Sequence, residues 1–288
     1  MTEDPFLSHR GLLFTIAYDM LGLAHDAEDV LQDAWLRWAD VDQADVRAPR
    51  AFLVRTVARL ALNRLRTLSR SREDYVGDWL PEPLLTSPDV AEDVELAEGV
   101  SIAMLTVLET LRPTERAVFV LREVFEMPYG EIAGVVGKAE AAVRQIARRA
   151  RSHVAARRPR VRVSRSEQQV VVERFLAALS TGKLHELLDV LAPDVVMIAD
   201  GGGVVPASRA PIHGAERVAQ LLAHVNRAAA EVATTAVWLN GAPAGRIEVG
   251  GSSAAISLVV DQARITWIYV IANPRKLARM EEPAELGR

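Results

Sequence analysis

Residues 108–151 read LETLRPTERAVFVLREVFEMPYGEIAGVVGKAEAAVRQIARRAR. Within this stretch TERAVFVLREVF (114–125) carries apolar residues at helical spacing, and PYGEIAGVVG (128–137) predicts a short helix closed by Gly137. KAEAAVRQIARRARSHV (138–154) predicts a longer helix, apolar along Ala142, Val143, Ile146 and Ala150 and cationic elsewhere. A short helix, a glycine turn and a second helix of that kind form the pattern of a helix-turn-helix, whose second helix lies in the major groove of DNA. Its early residues are then Lys138, Glu140, Arg144 and Gln145, with Arg148 and Arg149 one turn on. Arg can bind guanine through two hydrogen bonds, Gln can read adenine, and Glu can accept from cytosine. The remaining arginines can neutralise phosphates, whatever the base sequence. A merely solvated basic helix is the alternative, and the Gly137 turn and apolar face weigh against it.

Outward from this stretch the charge is segregated, although the 288-residue chain has a net charge of only −4. From Arg47 to Arg72 every charged residue is an arginine; from Glu73 to Glu98 every one is an acid. From Lys138 to Arg165 the single acid is Glu140. Two basic blocks in an acidic chain predict two contacts with a polyanion, and the acidic block a linker that avoids it. With prolines at Pro81, Pro83 and Pro88, that linker is expected to be extended.

The first 70 residues read as helices: HRGLLFTIAYDMLG (9–22), HDAEDVLQDAWLRWA (25–39) and, after a polar loop at 39–49, PRAFLVRTVARLALNRLRTL (49–68). Asp26 is the expected N-cap of the second, whose stripe is Val30, Leu31, Ala34, Trp35 and Trp38. Pro49 suits the first turn of the third. Arg59, Asn63, Arg64 and Arg66, close in sequence to Trp35, Trp38 and Phe52, suit single-stranded DNA, where unpaired bases stack or enter pockets. Both tryptophans have a plain core reading too, and Trp35 fits it better than Trp38.

Past a basic linker at 158–166 the pattern changes. Two short helices (171–182 and 184–192), VVMIADGGG and a helix at 211–229 precede four β-rich runs. These are split by Asn240-Gly241, Gly250-Gly251 and Asp261-Gln262, which are hairpin signals. An α+β domain with a curved sheet follows. Cys is absent, which rules out disulfides and thiolate metal sites. The polar N-terminus is unlike a signal peptide, and no apolar run approaches about 18 residues, so a cytoplasmic protein without a membrane span is expected.

HDAEDVLQDAWLRWA with PRAFLVRTVARLALNRLR resembles region two of bacterial extracytoplasmic-function sigma factors, of the sigma-70 family. The stretch at 108–151 is similar to their region four. The resemblance implies that Asp26, Glu28, Asp29, Gln32, Asp33 and Trp35 grip the clamp helices of core RNA polymerase. It implies that loop 39–49 with Trp38, Arg59, Asn63, Arg64 and Arg66 engages the melted downstream promoter element. Lys138, Glu140, Arg144, Gln145, Arg148 and Arg149 would read the upstream element as duplex. The chain beyond resembles a SnoaL-like domain of the NTF2-like fold, a cone of curved sheet closed by helices.

Three motifs sharpen that likeness: WLPEPL (79–84), DGGG (200–203) and NPRKL (273–277). They look like those of sigma factors with a fused SnoaL-like regulator, although Val204 stands where that subgroup usually has Lys. The expected regulatory contact joins Trp79, Leu80, Pro81, Glu82 and Pro83 to Asp200, Gly201, Gly202 and Gly203, with Asn273, Pro274, Lys276 and Leu277. WLPEPL offers a bulky anchor and two prolines that leave little entropy to lose on docking. The plainer alternative makes WLPEPL a cap on the first core and DGGG a turn.

The expected layout is sigma region two over 1–72, an acidic linker over 73–96 and the helix-turn-helix domain over 97–157. The basic linker at 158–166, a SnoaL-like domain over 167–280 and a tail at 281–288 complete it. No cofactor, metal or catalytic residue is expected. Two rival functions stay open: a helix-turn-helix regulator that works without polymerase, and a cone that senses a small ligand or acts like a cyclase. For the latter, His185, Asp194, Asp200, His213 and His224 are the titratable candidates, with Trp238, Trp267 and Tyr269 as pocket walls.

Overall fold

The computed structural model describes residues 4–72, 75–159, 163–228 and 232–287. Glu73 and Asp74 of the acidic block, and Arg160, Val161 and Arg162 of the basic linker, lie outside the described residues.

The first half is helical. A short helix α1 (Pro5–Ser8) leads into α2 (Arg10–Leu21), α3 (Ala24–Ala39) and α4 (Pro49–Ser71). Pro49 occupies the first turn of α4, where its missing N–H costs nothing. Then come α5 (Val94–Gly99), α6 (Ile102–Leu108), α7 (Pro113–Phe119) with a π-turn at Val120–Val124, α8 (Tyr129–Val136) and α9 (Glu140–Arg157). Gly137 closes α8 in the left-handed region, with φ 67° and ψ 43°. The buried face of α9 is Val143, Ile146, Ala147, Ala150 and Val154; Ala142, expected there, is exposed because it lies off the 3.6-residue stripe.

These helices share one continuous core, from Phe6 through Leu62 to Val154. The two expected helical domains therefore meet without a gap: α4 packs on α7 and α8. The linker is no solvated spacer. Leu80, Pro81, Glu82, Pro83 and Leu84 are buried, and the next helix starts at Val94, earlier than the charge pattern suggested. Burying Leu80 in full contributes about 2 kcal/mol.

The second half opens with α10 (Arg165–Thr181), one long helix with a Ser164–Glu167 capping box where a shorter one was expected, and α11 (Leu184–Val190). A six-stranded sheet follows: β1 (Leu191–Asp200), β2 (Ile212–His213), β3 (Val232–Leu239), β4 (Ala242–Val249), β5 (Ser252–Asp261) and β6 (Arg264–Ile271), in the order β2-β1-β6-β5-β4-β3. Helix α12 (Ala215–Ala228) packs on β1, and α13 (Pro274–Leu277) follows β6. β1 and β6 pair in parallel; the other pairs are antiparallel. Asn240 and Gly241 have φ of 52° and 69°, the two positive values a tight hairpin turn requires. The last turn is Gln262-Ala263, one residue later than the sequence suggested, because Asp261 still pairs with Arg264.

Side chains alternate between the two faces of this sheet. Ile256, Leu258 and Val260 of β5 join α10–α12 in one core. Ala255 and Val259, with Tyr269 and Ile271 of β6, turn the other way and enclose Leu80 and Ile102 from the first half. The tail is likewise fixed: Ala284 N donates to Leu85 O at 2.8 Å, and Gly287 N to Thr15 Oγ1 at 3.1 Å.

Candidate functional site

Helix α9 exposes Glu140, Gln145, Arg148 and Arg149, and Lys138 is exposed in the turn just before it, not on the helix as the sequence suggested. Arg144 is exposed as well, ion-paired with Glu140 one turn back and 4.7 Å from the Tyr129 ring centre. Pairs of this kind on a helix surface are worth only about 0.3–0.5 kcal/mol, so the guanidinium is held loosely.

The second basic helix is differently placed. In α4, Asn63 and Arg66 are exposed. Arg59 donates from Nη2 to Gly134 O of α8 at 2.9 Å. Arg64 pairs with buried Asp26 and lies 3.5 Å from Asp29. Four expectations fail here. Asp26 is only 1% exposed, so it cannot grip another protein; it anchors Arg64. Nor does it cap α3, which begins at Ala24. Trp38, 1% exposed, stacks obliquely on Phe52 and donates from Nε1 to Asp4 at 3.2 Å, so no base can stack on it. Trp35, which fitted the core reading better, is 44% exposed, beside exposed Leu36. With exposed Asp29, Gln32 and Asp33 it forms an acidic and aromatic strip along α3; Glu28 is half-buried and holds Arg10 at 2.8 Å.

The linker joins these helices to the sheet domain. Asp200, at the end of β1 and wholly buried, accepts from Leu80 N at 2.9 Å, Tyr75 Oη at 2.6 Å and Gly202 N at 3.0 Å. Lys276 of α13 completes its shell, with Nζ at 2.7 Å. Burial lowers the Lys276 ammonium from its usual 10.5 to about 8, with Asp200 opposing the shift. Desolvation, reinforced by the hydrogen bond to Asp200, raises the Tyr75 phenol. Asn273 donates to Tyr75 Oη at 2.9 Å and caps α13, while Pro274 is exposed and Leu277 half-buried. The cation at this site thus comes from Lys276. Val204, in the position the family usually gives to Lys, points to solvent.

Trp79 lies between two cations, Arg72 at 3.8 Å and Lys276 at 4.0 Å from its ring. It covers Gly22, where a Cβ would come within 2.9 Å of the indole, so the glycine makes room for the ring. Arg72 also pairs with Glu109 and donates to Leu21 O at 2.6 Å; Glu109 in turn pairs with buried Arg116. One network therefore runs from α4 through the linker to α7 and α13. Glu82 adds a second link: its carboxylate accepts from Ala24 N at 2.8 Å and caps α3, the role expected of Asp26. Asn240 adds a third. Its amide donates to Tyr18 Oη at 2.7 Å and Val100 O at 2.8 Å, and its Oδ1 accepts from Leu84 N at 2.9 Å.

Sequence reasoning missed Tyr75, Arg72, Glu109 and Asn240. A turn signal at Asn240-Gly241 was visible; its second use was not.

The sigma-70 region 2 family model matches residues 6–71 and the sigma-70 region 4 model residues 101–154. The ECF RNA polymerase sigma factor SigJ of Mycobacterium tuberculosis is 35% identical, over 100% of this chain and 99% of that one. This chain belongs to the ECF sigma factors. A probable ECF sigma factor, SigI, of the same organism is 34% identical over 97% of this chain and 95% of its own. The crystal structure of SigJ matches with a TM-score of 0.78 at 31% identity, covering 96% of this chain and 98% of that one. The second half of this ECF sigma factor is thus a fused SnoaL-like domain, and the protein directs transcription initiation. ECF sigma factors act by binding core RNA polymerase and promoter DNA, and they are not enzymes.

Among the described residues no group of His, Asp and Glu could hold a metal ion, and no helix is long and apolar enough to cross a membrane. His185, His213, His224 and Asp194 are exposed, so they form no enclosed acid–base site.

Proposed function

We propose that the two arginine helices divide the promoter, and that the SnoaL-like domain restrains them through the linker. Lys138, Glu140, Arg144 and Gln145 read base edges in the duplex; Arg148 and Arg149 take phosphates. Arg59, Asn63 and Arg66 meet the opened strands once α4 leaves α8. Asp29, Gln32, Asp33 and Trp35 meet the polymerase clamp helices. The chain has no chemistry of its own, and work on promoter DNA puts it in the cytoplasm.

The observation that carries the restraint is Asp200. A carboxylate with no exposure, satisfied by a linker amide, a linker phenol and a buried ammonium, binds the linker to the sheet domain. Removing one partner of a buried ion pair costs about 3–5 kcal/mol, enough to open a docked interface. The closed arrangement occupies Arg59 with Gly134, which favours an inhibitory sign. In-vitro transcription with core polymerase tests this. Asp200→Ala and Trp79→Ala should each raise promoter output above that of the parent chain, as should a chain stopped near residue 165. Output unchanged or lowered in both point variants would overturn the restraint.

A further inference from the structure

Between the sheet and helices α10 and α12 lies a cavity of about 560 Å³. Its floor is Ile247, Ile256 and Met197, and its walls include Leu179, Leu222 and Val232. Among the described residues that line it, none is titratable; the polar side chains are Asn226, Ser208, Ser252 and Ser253. Pockets of about 300–1,000 Å³ suit a single small molecule, and apolar walls with a few convergent polar groups set its class. Trp238, Trp267 and Tyr269, expected to wall such a pocket, do not line it; Trp267 and Tyr269 stack on the opposite sheet face at 6.0 Å.

We propose that this cavity binds one neutral, largely apolar small molecule with a single hydrogen-bonding end, and that its occupancy is passed to the linker through residues 199–209. The lining excludes charged occupants: a carboxylate or ammonium would enter without a counter-ion and lose several kcal/mol of hydration. It equally excludes acid–base turnover by the walls, so the cone is a sensor.

The coupling follows from shared backbone. Ala199 faces the cavity and the next residue is Asp200, which holds Leu80 and Lys276. Ala272 lines it too, adjoining Asn273, and its N–H donates to Asp200 O at 2.8 Å. In the loop after DGGG, Val205, Pro206 and Ala207 form part of the cavity wall. On its other side, Gly203 lies against linker Val76, where a Cβ would come within 3.2 Å of that side chain. Val205 N donates to Gly201 O at 3.0 Å, so the loop is a compact unit with one side on the ligand and one on the linker. A ligand that binds the two arrangements of this loop unequally shifts the latch by that difference. The consequence for transcription rests on the restraint proposed above; the binding does not.

The test uses the full chain and the neutral fluorophore N-phenyl-1-naphthylamine as probe. Saturable binding of one probe per chain is expected. Ala254→Trp, which fills the cavity from β5, and Leu221→Trp, which fills it from α12, should each weaken binding at least about tenfold while thermal unfolding stays cooperative. Undiminished binding in both variants overturns the site and leaves the Asp200 restraint standing. In hydrogen exchange, saturating probe should change protection across 75–86, including the Leu80 amide. Binding without that change overturns the coupling. Transcription unaltered by Asp200→Ala, with binding and exchange as expected, overturns the restraint alone.

Discussion

Helices α4 and α9 have much the same composition, arginines on an apolar stripe, yet the chain uses their charge in opposite ways. On α9 the guanidinium groups of Arg144, Arg148 and Arg149 face water, Arg144 in a local pair with Glu140, and further along Arg151 pairs with Glu123 of the π-turn at 2.8 Å. On α4, Arg59, Arg64 and Arg72 are each tied to another element: Gly134 O, Asp26, and Glu109 with Leu21 O. An unpaired surface arginine is available to a polyanion at little cost, whereas one tied to another element must first give up its partners, most of all the largely enclosed Arg72. The same residue type thus stands open to solvent on one helix and ties separate elements together on the other.

The sharpest way to break this contrast is to truncate an enclosed arginine. Arg72→Ala removes the Glu109 pair and half of the Trp79 sandwich, and should destabilise the chain by about 3 kcal/mol or more in urea titration. Arg148→Ala, on the exposed helix, should change stability by less than about 0.5 kcal/mol.

A buried acid sharpens the comparison next. Asp19 of α2 is wholly enclosed beside Arg116, and neither carboxylate oxygen has a hydrogen-bond partner. Burial raises its carboxyl from 3.8 to about 8, with Arg116 opposing. The folded chain therefore keeps a proton that the unfolded chain releases above about pH 4. Stability from this group is present below that pH and lost as pH rises towards about 8. Asp19→Asn should add on the order of a few kcal/mol at pH 8 and nothing near pH 4, seen as a flattened dependence of the unfolding midpoint on pH.

The smallest effects belong to α9. Arg144→Ala should cost about 1–3 kcal/mol in duplex binding and relax preference at one base position. Arg148→Ala should weaken binding to all sequences alike and reduce the slope of log affinity against log salt by about 1. Fluorescence anisotropy at several salt concentrations separates the two.

Much of this was legible in the sequence because it rests on local rules. The 3.6-residue stripe placed α2, α3, α4 and α9, Gly137 closed α8, and Asn-Gly and Gly-Gly marked two of the hairpin turns. DGGG and WLPEPL were singled out as motifs, and the fold brings Asp200 to the Leu80 amide. What escaped was set by distant neighbours. Trp35 and Trp38 both fall near one helical stripe, and only the position of Phe52 and Asp4 decides that Trp38 is enclosed. Asp26 has the spacing of an N-cap, but Glu82, 58 residues beyond Ala24, takes that place. The acidic linker looked solvated because a charge run carries no sign that Lys276 will donate to Leu80 O or that Glu82 will cap α3.

The Asn240 turn has one further consequence. The β3–β4 ladder, paired up to Leu239 and Ala242, fixes the backbone of this two-residue tip. Its amide then meets Tyr18, Leu84 and Val100, which belong to three separate segments. Because the tip is already ordered, little freedom is left to lose when those segments close around it. Beside it, Gly241 lets Ala97 approach to where a side chain would collide, at 2.8 Å. A loop that elsewhere merely reverses the chain serves here as a rigid key, cut in advance for a lock assembled from the other half of the molecule.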